Sequence, residues 1–152
     1  MNEILPLSTK AKTLELLKSH LTSAKVLPVF RFTVKNYFDN KLLLIDQVTQ
    51  YFKSNLIVRS SSINEDNEKT SNAGGFYSAM NVDRNDASAL QIAIDKVADS
   101  YGQSISDEDE IFIQPMLEDV ELAGVIFTAD IDTLSDYYIV NYDESGSADS
   151  VT

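Results

Sequence analysis

The chain has no cysteine, which excludes disulfides and thiolate metal sites and suits a reducing compartment. It has one histidine, His20. Cysteine–histidine catalysis is therefore excluded, and a serine–histidine–aspartate triad finds little support. His20 falls near the end of a predicted helix, where an imidazole is an ordinary partner of the C-terminal dipole. No apolar run approaches the roughly 20 residues of a membrane span, and the opening MNEILPLSTKAK lacks the apolar stretch of a signal peptide. The expectation is a soluble, cytoplasmic protein. Basic residues are scarce, 12 Lys and Arg against 24 Asp and Glu for a net charge of −12. Nucleic acid demands clustered cations, so neither nucleic acid nor membrane is an expected partner. An anionic ligand would need a local basic pocket or bound cations to offset this field. Neither GxxxxGK(S/T) nor GxGxxG occurs, so P-loop and Rossmann fingerprints are absent.

What is present fits a packed domain. A chain of 152 residues with 43% hydrophobic content can build one core, as one domain or part of one. Ser8 or Thr9 caps a predicted helix carrying Leu14, Leu17 and Leu21. VLPVFRFTV (Val26 to Val34) reads as a strand, and KLLLIDQVTQYFK as a helix aligning Leu44, Val48 and Tyr51. NLIVRS is a short apolar strand of the kind buried on both faces, and GFYSAMNV alternates. DASALQIAIDKVADSYG is the clearest helix: Asp86 caps it, Leu90, Ile94, Val97 and Tyr101 form its stripe, and Gly102 stops it. EIFIQPML, LAGVIFTA and DYYIVNY follow as three strands at hairpin-like spacing, while SDEDE (Ser106 to Glu110) reads as a solvated turn. Helices first and strands after predict an α+β fold with a mixed or antiparallel sheet.

One stretch breaks the pattern. After the strand LIV come Arg59, then Ser60, Ser61 and Ser62, then an acidic polar segment ending in Gly74 and Gly75. A planar cation beside hydroxyls and backbone N–H groups suits phosphate oxygens, and the glycines allow close approach to a ligand. Locally, an ion pair with Glu65 or Asp66 is the commoner outcome for such an arginine.

Four stretches, in order, resemble the N-terminal nucleotide-binding domain of the phosphoenolpyruvate synthase and pyruvate phosphate dikinase family, an ATP-grasp-type fold. STKAKTLELLK resembles its GGKaxxLxxL opening, with Lys10 at the lysine. VLPVFRFTVKNY resembles its vPxgfxvtxxay strand. VRSSSINEDNEKTSNAGGFYS resembles VRSSxxxED…SxAGxfxS through Arg59, Ser60, Ser61, Glu65, Asp66, Ser71, Ala73, Gly74 and Ser78. IFIQPML…LAGVIFTAD resembles vxVQxMv…SGVxFTxd through Gln114, Met116, Gly124, Val125, Phe127 and Thr128.

The resemblance implies ATP and Mg²⁺ as cofactors. Lys10 and Arg59 would hold phosphates, and the loop from Ser60 to Gly75, with Ser60, Ser61 and Gly74 in the binding set, would cover them as a lid. Gln114 and Met116 would border the adenine, and Thr128 belongs to the same nucleotide set. It also implies departures. Ser8 and Thr9 stand for two glycines, Ala129 for a frequent arginine, and Asn141 for an acidic residue. GSAD (Gly146 to Asp149) stands for a GLGE loop, leaving Asp149 as a candidate metal ligand.

By this resemblance residues 1–152 form the N-terminal part of a single ATP-grasp domain. The phosphorylatable histidine and the acceptor domain would lie outside the chain, which alone would hold no catalytic residue and show no turnover. The whole enzyme would be a phosphotransferase passing phosphate from ATP through phosphohistidine to a small acceptor, releasing AMP and phosphate. That acceptor would be pyruvate, an antibiotic, or the glutamine amide used in capsule biosynthesis. The alternative is a stand-alone, non-catalytic nucleotide-binding or protein-interaction module.

Overall fold

The computed structural model describes residues 8–62, 66–67, 70–71, 76–102, 105–130 and 132–145. The fold is α+β, and the chain forms two compact units, Met1–Met116 and Leu117–Thr152. Among the described residues no helix is long and apolar enough to cross a membrane.

In the first unit, helix α1 (Lys10–His20) is capped by Thr9. Strand β1 (Phe30–Thr33) runs directly into α2 (Val34–Tyr51), whose cap is Thr33, accepting from the Asn36 amide at 3.1 Å. Then come β2 (Leu56–Ser61), the two-residue strands β3 (Asp66–Asn67) and β4 (Thr70–Ser71), β5 (Ser78–Val82), α3 (Ala87–Asp99) and β6 (Glu110–Pro115). Four strands form one antiparallel sheet in the order β1-β6-β2-β5.

The helix α3 is as predicted. The Asp86 carboxylate accepts from the Ala89 amide at 2.9 Å, Leu90, Ile94 and Val97 are fully buried, and Gly102 ends the segment at φ +70°, a conformation that favours glycine. Helix α2 begins at Val34, seven residues before its predicted start at Lys41, because the Thr33 hydroxyl can cap it. The predicted strand from Val26 to Val34 accordingly shrinks to β1. Asn40 leaves helical geometry, and its amide bonds the Asn36 side chain at 2.8 Å, marking a kink. Leu21, expected on the apolar stripe of α1, is its exposed C-cap instead.

One face of the sheet carries the core. Phe32, Leu56, Val58, Ile111 and Ile113 pack there with the buried residues of α2 and α3. Strand period places Arg31, Ile57, Arg59, Phe112 and Gln114 on the opposite face. The central strand β2 is therefore not uniformly apolar: Leu56 and Val58 are buried while Ile57 and Arg59 are half-buried. A bulge in β5 sets Met80 and Asn81 opposite Ile57, with Asn81 at φ 55°.

In the second unit, β7 (Ala123–Phe127) pairs antiparallel with β8 (Ile139–Asp143). A Cβ on Gly124 would stand 2.8 Å from the Asn141 carbonyl oxygen, so this position needs glycine. The three predicted strands are thus a hairpin plus β6, whose described partners are β1 and β2.

Candidate functional site

The site builds outward from Arg59. Its cross-strand partners are Phe112 on β6 and Ser78 on β5. The guanidinium carbon lies 5.5 Å from the centroid of the Phe112 ring, and that ring is fully buried. A cation over an aromatic face is held by the ring quadrupole, and the contact leaves its N–H fork available for an anion. Among the described residues Arg59 makes no ion pair. Glu65, one of the carboxylates weighed as its partner, and the side chain of Asp66 lie outside the described residues.

Gln114 is the second element. It lies opposite Ile57, two positions along β6 from Phe112 and on the same face. It is 8% exposed, and among the described residues its side-chain amide has no hydrogen-bond partner. A buried amide without a partner costs about 1–3 kcal/mol, and the large majority of buried polar groups in folded proteins are hydrogen-bonded. Met116 follows β6 and is half-buried, with its amide donating to the Asn55 carbonyl at 2.7 Å. Its N–H is therefore already engaged.

The serines are placed differently from a simple phosphate cradle. Ser60 is 3% exposed, Ser61 0% and Ser62 4%. The Ser61 hydroxyl accepts from the Ala11 amide at 2.9 Å, and the Ser61 amide donates to the Tyr101 hydroxyl at 2.8 Å. Tyr101 in turn donates to the Glu110 carbonyl. The Ser62 hydroxyl donates to Asp109 at 2.7 Å, and the same carboxylate receives the Ser106 amide at 2.7 Å.

SDEDE is accordingly no solvated turn at its end. Asp109 is 3% and Glu110 2% exposed, because each carboxylate finds partners from distant segments. Glu110 accepts from the Thr9 hydroxyl at 2.6 Å and from Arg31 Nη1 at 2.7 Å, and Arg31 Nε also reaches Glu15 at 2.9 Å. Sequence reading missed this network. The available signal was the alternation in FRFT and EIFIQP, which puts Arg31 and Glu110 on the Arg59 face.

Lys10 opens α1 and is half-buried. Because the Ala11 amide meets Ser61, and Arg59 lies two residues before Ser61 on the same strand, the fold brings the two predicted phosphate-binding cations to one end of the sheet. Thr128 lies just after β7, exposed, within the second unit. Gly74 and Asp149 lie outside the described residues, as does most of the predicted lid. Within that segment Asp66 pairs with Ser71, and Asn67 with Thr70.

Among the described residues no three histidine or acidic side chains converge to hold a metal ion. The described residues alone thus form no cradle for Mg²⁺. A separate cavity of about 200 Å³ lies among Leu14, Glu15, Lys18, Leu27 and Tyr51. It is smaller than the ~300–1,000 Å³ typical of ligand pockets and holds none of the site residues. Compared with protein-family models, with characterised proteins and with solved structures, the chain matches none.

Proposed function

We propose that this chain binds the phosphates of ATP on the Arg59 face of its four-stranded sheet and serves as the nucleotide-binding part of a dikinase-type phosphotransferase. The observation that carries the proposal is the pairing of Arg59, poised over Phe112 without an ion-pair partner among the described residues, with the buried, unpartnered amide of Gln114. A half-buried guanidinium and a buried amide without a described partner, on one face, suit a ligand with both charged and hydrogen-bonding parts.

In this reading Arg59 grips phosphate oxygens with its planar fork, and Lys10 adds a point charge. Both also offset the anionic field of a chain carrying net charge −12. Gln114 bonds a polar edge of the nucleotide, and Met116 packs beside the base. Phosphoryl transfer of this kind is catalysed chiefly by positioning and charge neutralisation. The resemblance adds the wider scheme: ATP to AMP and phosphate through a phosphohistidine on another domain, Mg²⁺ held with the phosphates, pyruvate or the amide of glutamine as acceptor, and a cytoplasmic setting.

A second reading, a protein-interaction module, draws support from the β7–β8 hairpin. There Ile126 and Val140 face each other in register and are 66% and 55% exposed.

Calorimetric titration with ATP separates the two readings. Saturable binding that Arg59→Ala weakens by about tenfold or more, in a variant that keeps its thermal unfolding transition, supports the nucleotide reading. No binding, or binding indifferent to Arg59, contradicts it.

A further inference from the structure

Helix α1 is pinned to the sheet at three points, and Lys10 sits between two of them. Thr9, 1% exposed, donates its hydroxyl to Glu110 Oε2 at 2.6 Å. The Ala11 amide donates to the Ser61 hydroxyl at 2.9 Å. Farther along, Glu15 meets Arg31 at 2.9 Å, and Arg31 also holds the second oxygen of Glu110 at 2.7 Å. A helix cap needs only an acceptor for a free amide of the first turn. Thr9 provides that for the Lys12 amide at 3.4 Å, a long bond. Its short bond goes the other way, outward to a buried carboxylate 101 residues distant. That arrangement fixes where the helix begins as well as the fact that it begins.

The neighbouring residues make the placement consequential. Ser61, which receives Ala11, lies two positions from Arg59 on β2, a separation of about 7 Å on one face. The strand that carries the guanidinium thus also carries the anchor for the residue after Lys10. At Thr9, where the resemblance has a small residue, the added side chain turns into the interior and is occupied by Glu110, so it does not crowd the surface beside Lys10.

We propose that Thr9, Ser61 and Glu110 are positioning residues for Lys10, setting the ammonium group at the distance from Arg59 that a polyphosphate chain requires. The proposal rests on the nucleotide reading above and adds that buried hydroxyls and a buried carboxylate, none of them touching ligand, determine phosphate affinity through Lys10.

The test is a double-mutant cycle read by inorganic triphosphate and by ATP binding to the whole chain. Thr9→Val keeps the shape of the side chain and deletes the hydroxyl. It is expected to weaken triphosphate binding by about tenfold, while Thr9→Ser stays within about twofold of the unsubstituted chain. In a Lys10→Met background the Thr9→Val effect should disappear, which a general loosening of the fold would not produce. Ser61→Ala serves the same cycle should Thr9→Val fail to fold. A Thr9→Val or Ser61→Ala chain with unchanged affinity overturns the proposal, as does an effect that persists without Lys10. Absence of triphosphate and ATP binding in the unsubstituted chain is a different result: it removes the nucleotide reading itself, and this inference with it.

Discussion

The Thr9 hydroxyl and the Glu110 carboxylate meet at 2.6 Å across 101 residues of sequence, both almost completely shielded from water. Removing Glu110 leaves the buried Thr9 hydroxyl without its acceptor, while removing Thr9 leaves Glu110 with Arg31 alone. Glu110 also pairs with Arg31, and breaking a fully buried ion pair costs about 3–5 kcal/mol. Arg31, the third member, is one-third exposed and retains Glu15, so Glu110→Ala should cost about 2–3 kcal/mol. Urea unfolding measures it. A loss below about 0.5 kcal/mol, the range of an ordinary surface substitution, would show that the network is solvated and does not hold α1.

The link between α2 and α3 is sensitive to pH at both extremes. Asp95 accepts from Tyr37 at 2.9 Å and from Lys41 at 2.7 Å. Burial opposes its charge, but the bonds from Lys41 and Tyr37 outweigh it and hold its pKa below the usual carboxylate value. A depressed folded-state pKa contributes stability above the unfolded value of about 3.9, lost as pH falls through the folded one. Burial, then the Asp95 hydrogen bond and charge, push the Tyr37 phenol upward. That contribution is present below about pH 10 and fades as pH rises beyond it. Asp95→Asn should therefore differ most from the unsubstituted chain between about pH 5 and 9 and least near pH 2. A stability difference that does not narrow on acidification would contradict the assignment.

Gln114 should trade stability for binding. Its amide is buried and, among the described residues, unpartnered, so Gln114→Met, similar in length and without the amide, should raise stability by about 0.5–1.5 kcal/mol. The same change should weaken ATP binding. Thermal unfolding and calorimetry on one variant read both effects. A destabilised Gln114→Met chain would mean that the amide is already satisfied in the absence of ligand.

Much of the frame was legible locally, and the exceptions have physical causes. The helix at Ala87–Asp99 announced itself through Asp86, its stripe and Gly102, all within one short stretch. The start of α2 was hidden because Thr33 ends a strand and caps a helix at once, so no turn residue separates the two elements. Asp109 and Glu110 look solvated in SDEDE. Their burial is decided by Ser62, Thr9 and Arg31, which no local pattern connects to them. The same holds for Ser61, whose hydroxyl serves α1. Arg59 stood out in sequence, and what sequence did not supply was its seat on Phe112.

The chain has a single histidine. His20 ends α1, with Nδ1 within hydrogen-bonding distance of the Leu16 carbonyl at 2.8 Å and the Ser19 hydroxyl at 3.1 Å. Residues 1–152 alone are expected to produce no AMP from ATP with any acceptor. AMP formation above a protein-free blank, with any acceptor, would contradict it, whether or not His20→Asn abolishes it.

The central claim is that ATP lies against the Arg59 face of the sheet. Side-chain nuclear magnetic resonance of the isotope-labelled chain tests it most directly. On titration with ATP to about 1 mM, the Arg59 guanidinium and Gln114 amide signals should shift together and fit one dissociation constant, while the amides of Leu90, Ile94 and Val97, beneath the other face, stay in place. Shifts confined to the α2–α3 side, or no movement at Arg59 and Gln114 while ATP binds elsewhere, would contradict the account.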